Sequence, residues 1–184
     1  TAALAGILVL KRENYFYPDL QTILIYPDEY VTSTSLPEGN DVSINGKYDI
    51  RLGESWDSGP VILAWRQLLD EAADGGNGSN VGLHEFAHRL DRAERLTTPI
   101  PENSAHKVDG ALRQTLQREY LRLREAVKRG REDIIDSYGA ESPAEFFAVV
   151  TEAFFDIPGE LRRRRPALYR ALRDYYRLDP GAWS

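Results

Sequence analysis

The sequence contains no cysteine and no methionine. Without cysteine there is no disulfide framework and no thiolate zinc ligand, so any metal site must be built from imidazoles and carboxylates. A cysteine-free chain also fits a reducing compartment, and the cytoplasm is the expected location. The lack of methionine is unusual at this length, so spacings inside motifs carry more weight here than spacings across loops. Long hydrophobic runs are missing too: no stretch approaches the roughly 20 apolar residues that cross a bilayer, and no membrane association is expected. The opening Thr1 to Leu10 stretch is apolar but short, with no basic leader and no small-residue cleavage pattern, and reads as core rather than as a signal peptide. Positive charge is scarce: 23 Lys and Arg against 29 Asp and Glu give a net charge of -6, which offers no electrostatic footprint for nucleic acid. The run Arg162, Arg163, Arg164, Arg165 is a local exception and is expected to be solvated helix surface.

What is there is ordinary for a globular chain. The 184 residues, 42% hydrophobic and 28% charged, suit one domain over 1–184 with a continuous core. Gln21 to Tyr26 is rich in β-branched and apolar residues and stops at Pro27, which predicts a strand ended by a turn. Thr32 to Gly46 reads as loop, Tyr48 to Leu52 as a second possible strand, and Val61 to Trp65 as a short apolar strand leading into a helix that ends before Asp74-Gly75-Gly76. From Asn80 onward Leu83, Phe86, Ala87 and Leu90 recur at helical spacing on one face. A longer helix follows, with Val108, Leu112, Leu116, Tyr120, Leu123 and Val127 as its apolar stripe and Gly130 at its end. Ser142-Pro143-Ala144-Glu145 opens a further helix, apolar almost throughout from Phe146 to Phe155. After Pro158 a last helical segment carries Leu161, Leu168, Leu172 and Tyr175 or Tyr176.

The chemistry lies in His84-Glu85-Phe86-Ala87-His88, an H-E-x-x-H pattern within a segment that is helical on independent grounds. Four residues along a helix is just over one turn, so both imidazoles share a face and can reach one metal ion. Two of the chain's three histidines fall in this motif. The third, His106, stands among polar residues and reads as surface. Glu85 would sit beside the metal, able to take a proton from an activated water and pass it to the leaving amine. A catalytic zinc needs a third protein ligand and an open position. Glu145 and Glu152, seven apart on one helix, share a face, and either could serve. For Glu145 a capping box with Ser142 explains the residue without a metal. Asp91, seven after His84, could accept a hydrogen bond from a ligand imidazole or lie at the helix surface.

Ile135-Asp136-Ser137-Tyr138-Gly139-Ala140-Glu141-Ser142-Pro143-Ala144-Glu145-Phe146-Phe147-Ala148-Val149, together with His84 to Asp91, resembles the Mlc titration factor A family of glucose-regulated metallopeptidases. Arg51 to Trp56 and Gly59 to Trp65 resemble that family as well, whereas the loop Arg92 to Glu102 departs from its pattern. In that family, and in the similar catalytic domain of anthrax lethal factor, the third zinc ligand is a Glu seven residues after a functional Tyr. The resemblance therefore implies Glu145 as ligand and Tyr138 as the hydroxyl that stabilises the oxyanion or the departing group.

The expected architecture is α+β and zincin-like: a small mixed sheet from the first 65 residues packed on a mainly helical remainder that carries the metal site. The expected reaction is hydrolysis of a peptide or protein substrate by a water activated by Zn2+, held by His84, His88 and Glu145 with Glu85 as general base. The alternative, implied by the family's name, is a regulatory protein that sequesters a transcriptional repressor. A purely structural metal site fits less well, because three non-Cys ligands beside a Glu is the open arrangement. Val61 to Trp65 is either an edge for an extended peptide or a fully buried strand.

Overall fold

A computed structural model describes residues 2–11, 17, 20–28, 60–73, 76–98 and 110–183. The loop Thr32 to Gly46, the possible strand Tyr48 to Leu52, the stretch Arg51 to Trp56 and residues 99–109, with His106 and Val108, lie outside them. Among the described residues seven α-helices and two strands follow one another: α1 (Ala2–Ile7), β1 (Ile23–Tyr26), β2 (Val61–Ala64), α2 (Trp65–Ala73), α3 (Val81–Glu94), α4 (Gly110–Lys128), α5 (Pro143–Asp156), α6 (Pro158–Arg164) and α7 (Pro166–Tyr176). The chain is thus a mixed α+β structure, mostly helical.

Of the expected sheet, the described residues hold two strands. Among the described residues β1 and β2 pair in parallel, Ile23 opposite Val61 and Tyr26 opposite Ala64. Parallel neighbours need a long connection between them, and 34 residues separate the two strands in sequence. The choice between edge and buried strand falls towards burial for β2, whose Val61, Leu63 and Ala64 are enclosed while every residue of β1 is exposed.

α5 is the central helix. Its residues from Phe146 to Phe154 are all buried, and it packs against α3 and α4 and the turn at 137–140. A helix apolar on every side can be stable only with neighbours around it; enclosing a Phe side chain contributes about 1.5–3 kcal/mol. The opening segment lies against this core as read: Leu8 is fully enclosed, and Leu4, Ala5, Ile7 and Val9 are partly buried against it. Gly82 permits this approach, since a Cβ there would stand 2.4 Å from Leu4 Cδ1.

Three expectations fail in detail. On α4 the stripe runs through Leu112, Leu116, Glu119 and Leu123, while Val127 is exposed. Glu119 occupies a core position because it faces a buried cation. That cation is Arg165, 6% exposed, so the arginine run is not wholly solvated surface; only Arg162, Arg163 and Arg164 are exposed. The last helical segment is also broken in two at Arg165, which takes φ -135° and ψ 58°. Pro166 causes the break: it disfavours the helical conformation in the residue before it and donates no N–H. Among the described residues no helix is long and apolar enough to cross a membrane.

Candidate metal centre

The start of α3 is unusually well capped. Asn80, in an extended conformation, accepts from the Leu83 amide at 3.0 Å. The Asn80 amide donates to Glu152 Oε2 at 2.5 Å and the Val81 amide to Glu71 Oε2 at 2.8 Å. Amides that have no partner within the helix are thus satisfied by side chains from α2, α5 and the cap itself. Just upstream, Asp156 Oδ2 accepts from the Gly78 amide at 2.5 Å, and both its oxygens lie 3.1 Å from the Gly76 amide. At the other end, Arg95 closes α3 in the left-handed conformation, and Asp91 accepts from the Thr97 amide at 2.8 Å and the Thr97 hydroxyl at 2.5 Å. Asp91 is therefore buried at the helix end and engaged by Thr97, neither helix surface nor bonded to an imidazole.

One turn into α3, His84 and His88 meet edge to face, with ring centroids 4.7 Å apart and planes at 79°. Their Nε2 atoms lie 3.1 Å from each other, and Glu145 Oε2 lies 3.1 Å from that of His84 and 3.3 Å from that of His88. The capping alternative for Glu145 is realised only in half: Ser142 Oγ accepts from the Glu145 amide at 3.1 Å, but the Glu145 carboxylate turns to the two imidazoles. Glu152 meets the other side of His84, its Oε1 at 2.7 Å from Nδ1. The two candidate carboxylates of α5 thus take different nitrogens of one ring.

This arrangement poses an electrostatic question. A carboxylate at Nδ1 fixes the proton there, so a neutral His84 would aim its Nε2 lone pair at Glu145 and at His88. Three lone-pair atoms facing one point need a proton or a cation between them. A proton is one answer. Burial opposes charge on His84, but Glu145 and Glu152 outweigh it and carry its pKa up to about 10. Burial likewise opposes ionisation of Glu145, yet His84 and His88 outweigh it and bring it down to about 2. A metal ion is the other answer, and the donor set fits one. Ligands about 2.0–2.2 Å from a tetrahedral zinc stand roughly 3.3–3.5 Å apart, close to the 3.1–3.3 Å separations here. His84, His88 and Glu145 together form a group able to hold a metal ion.

Glu85 lies on α3 beside this group. Its Oε1 is enclosed with no hydrogen-bond partner among the described residues, and burial pushes its pKa up. An orphaned buried carboxylate oxygen calls for a ligand or water. Tyr138 sits in the short turn before α5, its ring 6.0 Å from that of His84, and with Gln67, Glu71 and Glu152 it lines a cleft of about 140 Å³ beside His84. Thus His84, Glu85, His88, Tyr138 and Glu145 are brought together. The supporting parts played by Glu71 and Asp156 were not foreseen. For Asp156 the available signal was the recurrence of acids at 145, 152 and 156 on an otherwise apolar helix.

Two helices that converge a His-His-Glu group in an α+β structure define a candidate metalloprotein. The particular family is shown by comparison: the model of the glucose-regulated metallo-peptidase M90 family matches residues 1–177, and the chain belongs to that family. An uncharacterized protein of Synechocystis sp. is 38% identical over 181 residues, covering 97% of this chain and 65% of its own length. Mlc titration factor A of Pectobacterium atrosepticum is 33% identical over 163 residues, with 87% and 60% covered, and that of Escherichia coli O127:H6 is 31% identical over 183 residues, with 97% and 67% covered. The resemblance read from the sequence is borne out. The chain spans only about two thirds of the length of these relatives.

Proposed function

We propose that residues 1–184 form one zincin-like catalytic domain that hydrolyses peptide bonds, with Zn2+ held by His84, His88 and Glu145. The convergence of three ligand atoms on one point, with Glu152 fixing the proton of His84 on the far side, is the observation that carries this reading. Zinc in that position would supply Lewis acidity, acidifying water and polarising the scissile carbonyl. Glu85, its pKa raised by burial, takes the proton from the attacking water and delivers it to the leaving amine. Tyr138 donates its hydroxyl hydrogen bond to the oxyanion of the tetrahedral intermediate. Glu152 orients His84 without touching the reacting atoms. The substrate is a peptide or protein, and the absence of cysteine supports a cytoplasmic location.

Metal analysis tests the ligand set: Glu145→Ala should lose stoichiometric zinc. Retention of zinc by that variant would remove Glu145 from the site.

The names of the relatives favour a second reading, in which the chain titrates Mlc, a transcriptional repressor, and hydrolysis is secondary. Glu85→Gln separates the two. It should keep zinc and fold while abolishing cleavage of a small chromogenic peptide, and a binding role alone would leave its biological effect intact. Full retention of that effect would reverse the order of the two readings.

A further inference from the structure

Tyr138 stands in a single 3-10 turn, Ser137–Ala140, not in an α-helix or strand, and something must fix that turn's position relative to His84. The turn itself is tied locally: Asp136 Oδ1 accepts from the Tyr138 amide at 2.8 Å, and Gly139 packs so closely that a Cβ would stand 3.3 Å from Leu123 Cδ2. The segment leading into it, residues 131–136, has no regular structure; Ile134 and Ile135 pack against the core, and one side chain from elsewhere in the fold also grips it. Arg165, at the break between α6 and α7, reaches across with one guanidinium nitrogen on Asp133 Oδ2 and the other 3.5 Å from Glu119 Oε2 on α4. Asp133 turns its second oxygen back to the Ile135 amide at 3.2 Å, and Ile135 is buried.

We infer that Arg165 is a positioning residue for Tyr138: it clamps Asp133 to Glu119 and so fixes the entry to the turn that carries the tyrosine. Three features support this. Arg165 and Glu119 are almost fully enclosed, where an ion pair is screened little and its geometry is held firmly. The three groups come from α4, the 131–136 segment and the α6–α7 junction, so the clamp joins the turn to helices remote from the metal ligands. Asp133, Ile135, Asp136 and Tyr138 then follow as successive anchored positions along six residues of chain. This inference rests on the reading of Tyr138 as a catalytic residue.

Arg165→Ala would leave two carboxylates buried without their cation and is expected to fold poorly, so Asp133→Asn is the informative variant. It releases the turn while Arg165 keeps Glu119. Hydrogen exchange of the metal-free protein should show the Tyr138 amide exchanging about tenfold faster, with protection in α3 and α5 unchanged. With zinc restored at full content, kcat on a small chromogenic peptide should fall about tenfold at unchanged KM. In a Tyr138→Phe background the same substitution should cost nothing further, because the group being positioned is gone. Unchanged exchange at Tyr138, faster exchange across the whole chain, or a full second loss in the Tyr138→Phe background would each overturn the inference. Should Tyr138→Phe itself leave kcat unchanged, the reading of Tyr138 fails and this inference with it. A loss in Tyr138→Phe without one in Asp133→Asn overturns the positioning alone.

Discussion

Glu152 reaches His84 at Nδ1, on the side away from the point where the three ligand atoms meet, and also holds the Asn80 amide. Its removal therefore leaves a complete His-His-Glu set with one imidazole free to rotate. Glu152→Ala should bind zinc about 10–100-fold more weakly than the wild type, measured by competition with a chromophoric chelator. Affinity unchanged within twofold would show that the contact does not orient the ligand. The sequence left Glu145 and Glu152 open because residues seven apart on a helix face the same way. What separates them is where α3 crosses α5, a tertiary quantity no spacing contains. His84 and His88 were legible because their relation is local, one turn of one helix.

At the scale of elements, Ser142 caps α5 through the Glu145 amide, yet the Glu145 side chain is held by the imidazoles and not by the cap. Losing the cap and losing the ligand are therefore separable. Ser142→Ala should cost about 1 kcal/mol of stability, a Tm lower by roughly 2–4 °C for a chain of this size, while zinc affinity changes less than threefold. A large loss of affinity would mean that the first turn of α5 frays and carries Glu145 with it. The helices were readable from periodicity and caps, and the break at Arg165 was signalled by the proline after it. Glu119 and Arg165 escaped because a buried ion pair disguises itself from both sides: one partner interrupts an apolar stripe, and the other hides in a charged run. The parallel sense of the two strands depends on how residues 27–60 cross over, which strand propensity does not encode.

For the whole molecule, the proposed metal would compete with a proton for one site, and pH would decide the contest. His84 is raised from 6.5 to about 10, so the stability it contributes to the metal-free protein is full below about pH 6.5 and disappears as pH rises through 10. Glu145 is lowered from 4.5 to about 2, so its contribution is full above about pH 4.5 and disappears as pH falls through 2. With respect to this pair the metal-free protein should be most stable between about pH 4.5 and 6.5. Zinc requires a neutral His84, so the rise in Tm on adding zinc should grow steadily from pH 6 to pH 9, as read by calorimetry. A rise that does not vary with pH would show that no proton leaves on binding. Among the candidate groups, Glu145, Glu152 and Asp156 stand on one face of α5 and meet, in order, the imidazole pair, the amide of the Asn80 cap of α3 and the glycine turn before it. They act as three teeth of a single key. A helix advances 1.5 Å per residue, so a slip of α5 by one residue in either direction would misalign all three together, and the site has no half-assembled form in which the metal ligands are in place while the helix that bears the histidines is not.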